Sequence, residues 1–175
     1  MKGDLALIDQ IIEEHQIAFK RFKKLEGMFG DAAAISGIEA AKDAFMPGRL
    51  DLGQGLQTFL ESLDTIDQGL LAHFNREETA LLHVFEKYGD NKLVSELKAL
   101  LVEHGGFRDR LADAKKQVTE LIRGGLARHR WEATAHDMRA HISHTRQLLL
   151  DHTATEQPLF VTIRKRVLAE ATEKE

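Results

Sequence analysis

The chain has 175 residues, 43% hydrophobic and 30% charged, a composition that suits one soluble domain (residues 1–175) with a substantial core. A formal charge of -4 gives no electrostatic reason to expect nucleic acid or an anionic membrane as partner, and no stretch approaches the roughly 18 consecutive apolar residues of a membrane-spanning helix. The acidic start (Asp4, Asp9, Glu13, Glu14) lacks the apolar core of a signal peptide, so the cytoplasm is expected. The absence of cysteine excludes disulfides, thiolate metal sites and thiol nucleophiles, leaving nitrogen and oxygen for any metal.

Two prolines, one tyrosine and no alternating β-branched runs leave helix signals and almost no strand signals, so an all-α fold is predicted. Helix 1, about 4–26, carries the stripe Leu5, Ile8, Ile12, His15, Phe19, Phe22. The segment of about 27–50 reads as a long connection, in which the Ala-rich stretch 39–45 is either a short helix or the frayed end of helix 1. Helix 2, about 51–88, begins after Pro47-Gly48, and its inward face runs from Leu56 and Phe59 through Leu70, His73 and Glu77 to Leu81, Val84 and Tyr88. Tyr88-Gly89-Asp90-Asn91 reads as a stop followed by capping residues. Helix 3, about 90–123, has His104 as the ionisable residue of its seam. Gly124-Gly125 breaks it, and helix 4, about 130–170, places His152 and Glu156 among Ile142, Leu149, Leu159 and Ile163.

Each residue advances about 1.5 Å along a helix, so in antiparallel neighbours joined by a short turn, residues equally far from the turn lie level. From Gly89, His73 lies 16 residues back and His104 15 forward; from Ala127, His104 lies 23 before and His152 25 after. His15 and His73 are both 29 residues from Ala44, inside the long first connection. The i, i+4 pairs His73/Glu77 and His152/Glu156 each present an imidazole and a carboxylate on one face. Burying four imidazoles and two carboxylates unpaired costs several kcal/mol, and coordination relieves the whole set at once. The expected site is therefore a metal pair in which each metal takes two histidines and both carboxylates bridge, with positions left for a bridging oxygen and an exogenous ligand. Thiolate-free, imidazole-rich ligation suits iron, with manganese and zinc as alternatives.

These motifs resemble the hemerythrin-like, or HHE cation-binding, family over nearly the whole chain. They are Ile12-Glu13-Glu14-His15, His73-Phe74-Asn75-Arg76-Glu77-Glu78 with Leu81-Leu82, Glu103-His104, and His152-Thr153-Ala154-Thr155-Glu156 with Leu159-Phe160. The resemblance implies an antiparallel up-down four-helix bundle holding a non-haem pair of iron ions with an oxo or hydroxo bridge. It further implies binding or sensing of a small ligand such as O2, NO or peroxide, with a ferroxidase, peroxidase, NO- or cluster-repair enzyme, or a metal-stabilised structural or regulatory bundle, as alternatives.

Three features depart from the family pattern. Arg108 stands where oxygen-carrying hemerythrins have a second histidine one turn beyond the helix 3 ligand, leaving six protein ligands and favouring reactivity or sensing over stable oxygen carriage. The first connection is long. Pro158 and Leu159-Phe160 fall about one residue early, which brings Asp151 into consideration as a ligand, although the seam turns His152 inward.

His141 lies roughly 16 Å along the axis from His152, too far to share its metals, and is assigned a supporting or access role at most. His83, His129, His136 and His144 fall off the cluster. Gly105-Gly106 costs about 1 kcal/mol per residue in a helix relative to alanine. The pair is therefore expected to permit a close helix approach, to open a route for a gas, or to mark a kink. Pro158 is expected to kink helix 4 beside Glu156, and Phe19, Phe74 and Phe107 are expected to keep water away from the site.

Overall fold

The computed structural model describes residues 2–34 and 50–172, with the side chains of 29–34, 50–54 and 128 left aside. The elements are α1 (Lys2–Ala34), α2 (Leu50–Arg76), a π-helical turn (Glu77–Leu81), α3 (Leu82–Tyr88), α4 (Asn91–Leu101), α5 (Glu103–Arg123) and α6 (Arg128–Thr172). They make four rods, because α2, the π turn and α3 run on as one and α4 continues into α5 through Val102. The rods form a four-helix bundle in which α1 packs on α2, α2 on α5, α5 on α6, and α6 back on α1. Among the described residues there is no strand. Later residues of α1 (Phe22, Leu25) share a core with early residues of α2 (Phe59, Leu63), and late residues of α5 (Val118, Leu121) with early ones of α6 (Met138, Ile142), so neighbouring rods are antiparallel.

The turns follow from their residues. Gly89 closes α3 with its N–H donating to the Phe85 carbonyl at 2.7 Å, and a Cβ there would lie 2.5 Å from that oxygen. Asp90 caps α4 by accepting from the Leu93 N–H at 2.9 Å. Gly124 (φ 68°) and Gly125 (φ 78°) make the α5–α6 turn in the left-handed region that only glycine enters cheaply.

Helix 1 runs past the end expected near residue 26, because Met28 continues the seam one turn beyond Leu25 and packs on the core. Its fully buried residues are Ile8, Ile11, Phe22 and Leu25, whereas Ile12 and Phe19 flank this face half-buried: Ile11 and Ala18 replace the expected Ile12 and Phe19 as the inward residues. The Ala-rich stretch 39–45 and Pro47-Gly48 lie outside the described residues.

The core falls into two clusters. One contains Phe22, Phe59, Leu63, Phe74, Phe107, Leu111 and Leu149; the other contains Ile8, Ile11, Leu81, Phe85, Leu97, Phe160 and Ile163. On every rod the crossing point between them is a His or a His/Glu pair. No helix among the described residues is long and apolar enough to cross a membrane.

Candidate metal centre

His15, His73, Glu77, His104, His152 and Glu156 all lie at this crossing layer and are all buried, the two carboxylates completely (0% exposed). The structure brings the six together as two halves with shared carboxylates. In one half His15 Nε2 lies 3.6 Å from Glu77 Oε1 and 3.4 Å from Glu156 Oε2, and His73 Nε2 lies 3.3 Å from Glu77 Oε1. In the other, His104 Nε2 is 3.2 Å from Glu77 Oε2 and His152 Nε2 is 3.2 Å from Glu156 Oε1. Each glutamate thus directs one oxygen to each half. Donor atoms form two groups, Glu77/His104/His152/Glu156 and His15/His73/Glu77, each within 4.8 Å.

A first-row divalent cation sits about 2.0–2.2 Å from imidazole nitrogen and carboxylate oxygen, so neighbouring donors around it stand about 3–3.6 Å apart. The observed separations fit that spacing. Nine buried side-chain N or O atoms have no hydrogen-bond partner among the described residues. Eight of them are the inward atoms of this cluster: Nε2 of His15, His73, His104 and His152, and both oxygens of Glu77 and Glu156. Buried polar atoms are almost always satisfied, so eight orphans converging on one point mark a place for a cation.

The surrounding shell orients the imidazoles. His73 Nδ1 lies 3.0 Å from Glu14, His104 Nδ1 2.9 Å from Glu78, and His152 Nδ1 2.8 Å from Glu103. A carboxylate only accepts, so each Nδ1–H donates, and in the neutral ring Nε2 carries the lone pair that faces inward. Arg76 holds Glu14 at 2.7 Å and Arg108 holds Glu78 at 2.6 Å. Arg108 therefore reaches away from the cluster to the outer carboxylate that positions His104, and its guanidinium lies 5.6 Å from the centre of the Phe74 ring.

In the metal-free cluster, burial opposes ionising Glu77, but the imidazoles of His104, His15 and His73 outweigh it and hold the carboxyl at about 2. Burial also opposes a charge on His152, yet Glu156, with Glu103 on the other ring nitrogen, raises it to about 9. His73 moves the other way, lowered by burial, with the neighbouring His15 adding to it. The aromatic wall is Phe74 stacked on His104 (4.0 Å between ring centres), Phe107 edge-on to His152 (5.5 Å) and Phe160 stacked near His15 (6.1 Å). Phe160 takes the place expected of Phe19.

The irregular helix geometry sits at the cluster. The π turn starts at Glu77, adding a residue to the turn and re-aiming that carboxylate, a distortion typical of functional sites. Val102 interrupts the third rod one residue before Glu103. Gly105 and Gly106 are exposed, and an added Cβ would meet nothing within 4 Å at either, so no helix approaches closely there. His141 Nε2 bonds the Arg110 carbonyl at 2.9 Å and takes no part in the layer. Asp151 is exposed and accepts from Gln147, while its neighbour His152 faces inward.

Glu14, Glu78 and Glu103 stand in the motifs, but the sequence alone assigns them no role. Their signal is that each adjoins a cluster residue, so it is turned by about 100° around the helix and faces the next rod. No curated protein and no solved structure matches the chain closely enough to add a relative. The hemerythrin HHE cation-binding domain model matches residues 6–156, a span that contains all six cluster residues and all three outer carboxylates. The chain belongs to the hemerythrin HHE cation-binding domain family.

Proposed function

We propose that this is a cytoplasmic, non-haem di-iron protein that binds or senses a small diatomic or peroxidic ligand at the bundle-core pair, with neither nucleic acid nor membrane as partner. His15 and His73 would hold one iron, His104 and His152 the other, and Glu77 and Glu156 would bridge them. The observation that carries this reading is the division of each buried carboxylate between the two halves, supported by eight inward atoms without a partner.

A donor set of four imidazoles and two carboxylates suits iron, with manganese or zinc as alternatives. When bound, an iron pair supplies redox chemistry and open coordination for a small ligand. The chain's own contribution is to fix the tautomers of His73, His104 and His152 through Glu14, Glu78 and Glu103, and to keep bulk water away with Phe74, Phe107 and Phe160. The only tyrosine, Tyr88, packs in the core cluster of Leu81, Phe85 and Ile163, donates its hydroxyl to Asp4 at 2.7 Å and is no part of the histidine layer. That placement favours ligand binding over oxidation chemistry that needs a phenol beside the metals.

The test is elemental analysis of anaerobically purified protein, followed by optical spectra as oxygen or NO is admitted. Two irons per chain with new charge-transfer bands support the reading. Protein grown with ample iron that contains none, or only inert zinc, refutes it.

A further inference from the structure

The two helix pairs repeat one another around the cluster. Glu14-His15 on α1 corresponds to Glu103-His104 on α5, and His73 on α2 with Glu77 at the start of the π turn corresponds to His152 and Glu156 on α6. The outer contacts repeat too: Glu14 meets His73 Nδ1 at 3.0 Å, and Glu103 meets His152 Nδ1 at 2.8 Å. What covers them does not repeat. Arg76, three residues after His73, grips Glu14, whose side chain is 19% exposed. The corresponding residue after His152 is Thr155, whose hydroxyl turns back to the Asp151 carbonyl at 2.9 Å, and Glu103 is 53% exposed. Two residues beyond His15 stands Ile17; two beyond His104 stands Gly106, with open space where a side chain would be.

The consequence is a groove of about 410 Å³ between α5 and α6, with Gly106, Phe107 and His152 along it and Glu103, Asp151 and Thr155 at its polar margin. His152 belongs both to the groove's lining and to the cluster, so the groove ends against the site. Two carboxylates and no lysine or arginine line it, which repels anions and leaves uncharged molecules unaffected.

We propose that the α5–α6 groove is the access side of the cluster and admits small uncharged ligands in preference to anions. This rests on the reading that the cluster holds a metal pair with room for an exogenous ligand. The missing side chain at Gly106 is the aperture, and Asp151 is the specificity-determining charge.

The test uses the full chain loaded with iron, with stopped-flow rates for NO binding to the reduced form and azide binding to the oxidised form. Gly106→Ile should slow both by about tenfold, equivalent to about 1.4 kcal/mol on the barrier, while Gly105→Ile, beside the groove, leaves both rates unchanged. Asp151→Asn should speed azide by about twofold, as expected for one screened charge near the path, and leave NO unchanged. Cobalt(II) uptake by the metal-free protein should keep the same stoichiometry in all three variants, which separates a blocked route from a broken site. Wild-type NO rates in Gly106→Ile with full binding amplitude overturn the route. An azide rate indifferent to Asp151→Asn overturns the charge selection. Absence of any NO or azide amplitude in the wild type instead overturns the ligand-binding reading beneath it.

Discussion

Consider dialysis of the protein against a strong chelator at pH 7. It leaves the four Nε2 atoms and four carboxylate oxygens of the cluster facing one another without partners. An orphaned buried polar atom costs about 1–3 kcal/mol, so the layer becomes a liability on the order of 10 kcal/mol, relieved in part by protons on its imidazoles. Conversely, a metal at about a thousand times its dissociation constant contributes about 4 kcal/mol through a single site. In a domain of this size each kcal/mol moves the melting temperature by about 2–4 °C, so metal-loaded protein should melt about 8–16 °C above the chelated form. Calorimetry of the chelated, refilled and as-purified protein measures this directly. Superimposable melts for metal-free and metal-loaded protein would refute the reasoning, because they would mean that the eight inward atoms find their partners elsewhere.

Removing the outer carboxylate by Glu78→Ala should weaken metal binding by about 10- to 100-fold, and Arg108→Ala should do so by less; Glu86→Ala, at the surface pair with Lys98, serves as the titration control and should change nothing. Gly105→Ala places a methyl group in open space on an exposed helix face and should raise stability by about 1 kcal/mol, read as a higher melting temperature. The Tyr88 hydroxyl, with Lys87 beside it, lowers Asp4 from 3.8 to about 2. Its ionised form therefore adds stability that is fully present above 3.8 and is lost as pH falls towards about 2. Asp4→Asn should cost about 0.5–1.5 kcal/mol at pH 7 and flatten the acid limb of a stability-versus-pH curve; an unchanged acid limb counts against the contact.

Counting residues from Gly89 and Ala127 was enough to place His73, His104 and His152 at one depth, because short turns and a fixed rise leave little freedom. Seam steps of three and four also located His15. The same regularity is why other features stayed hidden. Periodicity assumes an unbroken helix, so neither the π turn at Glu77–Leu81 nor the break at Val102 leaves a trace in the apolar pattern. The role of Arg108 was equally opaque: the sequence shows that no histidine stands there, while only the packing of α2 on α5 shows its guanidinium reaching Glu78. Ile11 and Ile12 both fit a helical stripe, and only the packing against the neighbouring rods shows that Ile11 turns fully inward.

The polar layer has a consequence for how the molecule holds together. It cuts the bundle crosswise, so the apolar interior is two separate compartments, one around Phe22, Leu63 and Leu111 and the other around Leu81, Phe85 and Ile163. Each compartment draws on all four rods, and between them lies the layer of buried carboxylates and imidazoles. With the cation in place the layer acts as a rivet, and amides in both ends should exchange with deuterium in a single concerted opening. Without it, the weakest cross-section lies at the middle of the bundle, and the two ends should open independently, at rates set by their own packing.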